Sequence, residues 1–147
     1  PDYRNLDPSS AFTGPVTAQR PVAQEFKAEC ASIHSLMLWP QPALGPSSGQ
    51  TTTFALRDAA SGAVLASQTI PNEQVTFGDW YEIQIPPVEN AASRLFTIEI
   101  SSTNPAETTA LRFSVSPIAE YGDGRLFIQG EEVDHDLYFH YGCRAGK

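Results

Sequence analysis

Gly130-Glu131-Glu132-Val133-Asp134-His135-Asp136 is the densest polar stretch of this 147-residue chain. Hard carboxylate oxygens held in a loop are what calcium takes as ligands. Asp134 and Asp136 fall on one face of an extended segment, and Glu131 or Glu132 can swing towards them. Asp134 and Asp136 are therefore candidate metal ligands. A solvated acidic turn is the alternative, because EF-hand spacing is absent. Zinc through His135 and His140 fits poorly, since an odd spacing puts the two rings on opposite faces of a strand. His34 stands alone in the sequence.

Cys30 and Cys143 stand 113 residues apart. A redox pair would read Cys-x-x-Cys, and zinc would want further Cys or His at short spacing. Two readings stay open: a disulfide tying the first strand to the last, or two separate thiols. The disulfide would imply an oxidising compartment. Gly45-Pro46-Ser47-Ser48-Gly49 matches the hydrolase pattern G-x-S-x-G. That elbow needs a strand before it and a helix after it. A Pro-rich stretch precedes and the strand-like Thr51-Thr52-Thr53-Phe54 follows, so a flexible loop is the reading. Glycoside hydrolysis needs two carboxyls about 5–10 Å apart across a cleft. With seventeen Asp and Glu such pairs arise by chance. No catalytic residue is assigned, and the chain is read as a non-enzyme.

The aromatics carry a more specific chemistry. Trp39, Trp80, Tyr81, Tyr121 and Tyr138 sit at strand ends or off the core phase. The electron-rich face of such a ring stacks on the apolar C–H face of a sugar. Trp39, Trp80, Tyr121 and Tyr138 are the candidate ligand-binding residues. Trp39, beside Pro40 at the mouth of the longest loop, is the foremost platform. The alternative for both tryptophans is to cap the ends of the core.

The elements that must position these residues are strands. Helical spacing is sustained nowhere. Short apolar runs alternate with Gly, Pro, Asn and Asp and recur roughly every 10–12 residues, as in sandwiches. Strands are expected over residues 24–28, 32–39, 51–58, 63–70, 80–85, 94–101, 109–116, 125–129 and 137–141. Pro40, Pro42 and Pro46 should stop pairing after the second, and Pro86-Pro87 should end the fifth. Turns are expected at 59–62 and 103–106. Phe96, Ile98 and Ile100 share one face, as do Leu111, Phe113 and Val115, and again Leu137, Phe139 and Tyr141. One apolar face per strand requires a second sheet as cover. The expectation is an all-β fold, a two-sheet antiparallel β-sandwich of about nine strands over residues 23–147. Residues 1–22, with Pro1, Pro8, Pro15 and Pro21, read as an extended Pro-rich arm or linker.

Charge narrows the partners. Nine Lys and Arg oppose seventeen acids, giving a net charge of -8 and no basic cluster. Nucleic acid and anionic lipid both demand a cationic face, so neither is expected. No apolar run approaches the ~18 residues of a membrane helix, so no membrane insertion is expected. No basic segment followed by an apolar stretch marks a signal peptide. Low Lys with abundant Pro, Thr, Ser and Gln suits a secreted or cell-surface domain.

Tyr141-Gly142-Cys143, with Trp39 after Cys30, resembles the immunoglobulin Tyr corner and Cys–Trp–Cys pattern, but the cysteines are too far apart for one such domain. A broader resemblance rests on Gln24-Glu25-Phe26, residues 80–87 from Trp80 to Pro87, residues 95–101, Tyr121-Gly122, Gly130, and Asp136-Leu137-Tyr138-Phe139. These motifs resemble the extracytoplasmic β-sandwich (jelly-roll) modules attached to bacterial cell-envelope proteins, and more loosely jelly-roll carbohydrate-binding modules. The resemblance implies a jelly roll, an extracellular or periplasmic location, and carbohydrate as partner. It also implies a structural Ca²⁺ between first and last strands, with Glu25 and Asp136 as ligands. The cysteine pair and the Pro-rich arm have no counterpart in it. The expected function is a non-catalytic carbohydrate-binding module at the cell envelope or in a secreted protein. The alternative is a structural subunit of a filament or surface layer, assembling with copies of itself or with a parent envelope protein through the N-terminal arm.

Overall fold

The computed structural model describes residues 12–42, 45, 49–116, 124–133 and 135–143. Its strands in chain order are β1 (Val22–Lys27), β2 (Ser32–Leu38), β3 (Pro40–Gln41), β4 (Thr51–Asp58), β5 (Val64–Pro71), β6 (Tyr81–Glu89) and β7 (Leu95–Ser101). There follow β8 (Arg112–Phe113), β9 (Val115–Ser116), β10 (Leu126–Ile128), β11 (Glu131–Val133), β12 (Asp136–Leu137) and β13 (Phe139–Cys143). Each of the nine expected strands is present. The one expected at residues 109–116 is split in two, and the 137–141 strand divides at Tyr138. Helix is confined to single 3-10 turns at Asn72–Gln74 and Glu107–Thr109 among the described residues.

One layer is a six-stranded antiparallel sheet in the order β11-β10-β1-β7-β4-β5. The other is built on β13-β2-β6 and extended by the short pairs β3-β8 and β12-β9. Neighbours in space are mostly distant in sequence, which is the mark of Greek-key crossings, the jelly roll among them. Period-two alternation aims one face of every strand inward. Val22, Gln24 and Phe26 on β1, and Phe96, Ile98 and Ile100 on β7, are wholly buried. Their cover comes from the second layer. Phe26 lies 5.4 Å from Phe139 and 4.9 Å from Tyr141, and Phe54 meets Phe113 edge-on at 5.8 Å. Burying each such ring is worth about 1.5–3 kcal/mol.

Prolines act differently from the expectation. Pro40 does not end pairing: Pro40 and Gln41 register with Phe113 and Arg112, and the Ser114 N–H donates to the Trp39 carbonyl. Strand β6 runs on through Pro86 and Pro87 to Glu89. Two circumstances allow it. β6 is an edge strand, so missing N–H groups face outward. The ladder also shifts between Ile33 and Ser35, which pair with Val88 and Gln84, so residues 85–87 bulge past His34. The link at residues 103–106 carries the chain from one sheet to the other rather than closing a hairpin. It is locked by buried Asn104, whose side chain bonds Thr109 at 2.7 Å and the Ala106 N–H at 2.9 Å.

The described part of the N-terminal stretch is packed. Phe12 bridges Ser114, Thr13 N–H donates to the Phe113 carbonyl, and Val16 N–H donates to the Leu111 carbonyl. Thr13, Val16 and Thr17 are buried. These residues occupy an edge that residues 111–114 would otherwise leave open. Pro15 is compatible because the Thr13 and Val16 N–H groups make the bonds.

Candidate functional site

Strands β6, β2 and β13 lie side by side, with Leu38 opposite both Tyr81 and Phe139. One step beyond Leu38, the same register sets Trp80, Trp39 and Tyr138 in a row across three strand ends. Their inward neighbours Leu38 and Phe139 are buried, so alternation turns this row to the outer face. The rings meet there. Trp80 stacks on Tyr138 at 4.7 Å and 24°, and Trp39 meets Trp80 edge-on at 5.4 Å and Tyr138 at 5.7 Å. His140, two residues along β13 on the same face, contacts Trp80 at 4.7 Å. All three of the larger rings are half-buried and His140 is exposed. Such pairs add about 0.5–1.5 kcal/mol each beyond area burial. The cluster therefore supplies stability as well as surface.

Two polar atoms on this same face have no hydrogen-bond partner: the Trp39 Nε1–H and the Ser35 hydroxyl, both buried. A buried donor left unpaired costs about 1–3 kcal/mol. Ser35 lies where a side chain at position 142 would go. A Cβ on Gly142 would run into its Oγ, which accounts for the glycine at that place.

On the other side of His140 an open pocket of about 330 Å³ is lined by Lys27, Glu29, Cys30, His140, Tyr141 and Cys143. Cys30 and Cys143 form a disulfide with their Cα atoms 6.1 Å apart, settling the cysteine alternatives. The Glu29 N–H donates to the Tyr141 hydroxyl at 3.1 Å beside it. Ammonium, carboxylate and imidazole thus flank one hollow next to an aromatic shelf. Disulfides persist in oxidising compartments. No helix among the described residues is long and apolar enough to cross a membrane.

The candidate metal ligands are engaged elsewhere. Glu25 faces outward and pairs with Arg125 at 3.0 Å. Its hydrogen bond and its charge raise the Arg125 pKa above the ordinary value. Asp136, expected on the polar face, is buried instead. Its carboxylate accepts from the Gln24 side chain at 3.1 Å, and Gln24 accepts the Leu137 N–H at 2.7 Å. Gln24 and Glu25 are consecutive on β1, so these two carboxylates are held on opposite faces of the strand. No group of three or more His, Cys, Asp or Glu converges to hold a metal ion among the described residues. Asp134 and Tyr121 lie outside those residues, as does Ser47 of the G-x-S-x-G loop.

Comparison with known proteins gives no lead: no family model and no curated protein matches the chain.

Of the expected ligand-binding residues, Trp39, Trp80 and Tyr138 come together. His140 belongs with them and was missed as a stacking partner. Its signal was present, because Tyr138 and His140 share a phase on an alternating strand. Lys27 and Glu29 carried no signal of their own. Their place beside His140 follows from the link between β1 and β2, where the disulfide closes.

Proposed function

We propose that this protein is a non-catalytic carbohydrate-binding module of a secreted or cell-envelope protein, with Trp80, Tyr138 and Trp39 as its stacking surface. The observation that carries this reading is the convergence of three aromatic side chains from three strand ends onto one outward face. Stacking on Tyr138 uses one face of the Trp80 ring, and the half-buried indole keeps surface for the C–H face of a sugar. His140, Lys27 and Glu29 supply hydrogen-bonding groups next to that shelf. Sugar recognition combines these two ingredients: an apolar ring contact and a few placed polar groups. The oxidising setting of a disulfide agrees with a place outside the cytoplasm. The alternative of assembly through the N-terminal arm loses residues 12–17, which already pair within their own chain.

The test uses a convenience of composition. The chain holds two tryptophans, and both are in the cluster. Intrinsic tryptophan fluorescence therefore reports this site directly. Titration with a broad panel of oligosaccharides and polysaccharides, with Ca²⁺ and with chelator, should give a saturable spectral change for at least one glycan. Trp80→Ala should abolish that binding while the protein stays folded. Binding that survives Trp80→Ala would move the site elsewhere, and no response to any glycan would sink the carbohydrate reading.

A further inference from the structure

Each arginine side chain among the described residues has a partner. Arg57 pairs with Glu99, Arg94 with Asp58 and Arg125 with Glu25, while Arg20 and Arg112 donate to the Thr13 and Pro42 carbonyls. The Lys27 ammonium makes neither an ion pair nor a hydrogen bond. In a chain with seventeen acids it is the one Lys or Arg among the described residues left unengaged. It lines the hollow next to the aromatic shelf. Glu29 lines the same hollow two residues further on, and its carboxylate is unpaired as well. The Tyr141 hydroxyl accepts from the Glu29 N–H at 3.1 Å, which leaves its own hydrogen to donate. The hollow therefore presents two donors and one acceptor that the protein does not use itself.

The walls of the hollow are fixed. The disulfide ties Cys30, next to Glu29, to the end of β13, the strand that carries His140 and Tyr141. Groups held in place before binding lose less entropy when a ligand arrives. We propose that the hollow is a subsite for a hexuronic acid residue, with Lys27 and the Tyr141 hydroxyl donating to its carboxylate and Glu29 accepting from its ring hydroxyls. This rests on the carbohydrate reading and names the class of sugar. His140 borders both the hollow and Trp80, so one oligosaccharide can lay a ring on the shelf and its acidic neighbour in the hollow. About 330 Å³ is at the small end of ligand pockets and suits one sugar ring rather than a length of chain. Net charge points the same way. A protein of charge -8 repels a polyuronate as a whole, whereas a single acidic residue in a neutral glycan meets one local cation. An amino sugar would set its ammonium against Lys27.

The test is a matched pair of ligands on the full chain, followed by tryptophan fluorescence and calorimetry. Oligosaccharides bearing one glucuronic or galacturonic acid residue are each titrated beside their carboxyl-reduced form, with glucosamine oligomers as a third arm. At least one acidic oligosaccharide should bind about tenfold tighter than its reduced form, as a charge-assisted hydrogen bond provides. Lys27→Gln should bring the two forms within about twofold of each other. That variant should melt within a few degrees of the parent, because the Lys27 side chain is exposed and unpaired. Glu29→Gln should weaken both forms alike, and Trp80→Ala should remove both. Equal binding of the two forms by the parent overturns the subsite and leaves the carbohydrate reading standing. So does a preference that survives Lys27→Gln, an acidic form that binds tighter to Glu29→Gln, or a glucosamine oligomer that outbinds every acidic one. No binding of any glycan, acidic or neutral, overturns the reading and the subsite together.

Discussion

Removing the Cys30–Cys143 bond should be among the most costly single changes available to this protein. The bond spans 113 residues. Loop-closure entropy for a cross-link of that span is about 16 cal/mol/K, or ~4.8 kcal/mol at 25 °C. For a chain of this size each kcal/mol moves the melting temperature by roughly 2–4 °C, so a loss of about 10–20 °C is expected. The native state should survive the loss, because the Glu29 N–H to Tyr141 bond and the stacking of Phe26 on Tyr141 hold the same neighbourhood together. The assay is denaturant unfolding followed by tryptophan fluorescence, with and without a phosphine reductant, and on the Cys30→Ala/Cys143→Ala chain. The reduced chain should also show a steeper dependence on denaturant, because its unfolded state is less compact. A loss of less than about 1 kcal/mol, with no change in slope, would refute the argument that the cross-link acts on the unfolded chain.

Other substitutions probe other parts of the fold. Phe26→Ala empties the meeting point of Phe96, Phe139 and Tyr141 and should cost about 3–5 kcal/mol in chemical denaturation. Gly142→Ala forces a Cβ onto the Ser35 hydroxyl and should cost about 1–3 kcal/mol; Ser35→Gly should recover most of it in a double-mutant cycle. Trp39→Phe removes a buried donor without a partner, which offsets part of the lost ring area, so stability should change by less than ~1 kcal/mol. Glycan binding should survive in that variant, because the indole N–H is buried and the phenyl ring keeps an apolar face, as fluorescence of the remaining Trp80 will read.

Most of the architecture was legible because alternation is strong. Phe96, Ile98 and Ile100 had to face one way, and they form the floor of the core. Proline was the residue most misjudged. Its rule concerns lost N–H donors, and whether a donor is needed depends on the neighbour, which a sequence does not display. Pro40 pairs and Pro86-Pro87 continue a strand because the sheet asks for no N–H there. The packing of residues 12–17 was invisible for a related reason. Its partner is the edge at residues 111–114, about a hundred positions away, and a short segment with one proline shows no period of its own. The aromatic cluster was half legible. Ring types and strand ends marked Trp39, Trp80 and Tyr138, whereas the registers of β6 and β13 on β2 decide that they touch. Asp136 was misplaced although Leu137 and Phe139 keep their expected phase: it is enclosed by its contact with the buried Gln24 side chain, a partner 112 positions away that no local period displays.

The pairing of β2 with β13 also bears on how the protein is made. When β2 leaves the ribosome, its cross-strand partner Phe139 lies about a hundred residues further on. At synthesis rates of roughly 5–20 residues per second, β13 follows ~5–20 s later. Strand β1 likewise waits for β7 and β10. Through that interval the apolar run Leu36-Met37-Leu38-Trp39 has no native strand of its own sheet to join except β6. Topologies dominated by such remote pairings fold in milliseconds to seconds rather than microseconds. The first half of the molecule is thus committed to its shape by strand β13, synthesised long after it.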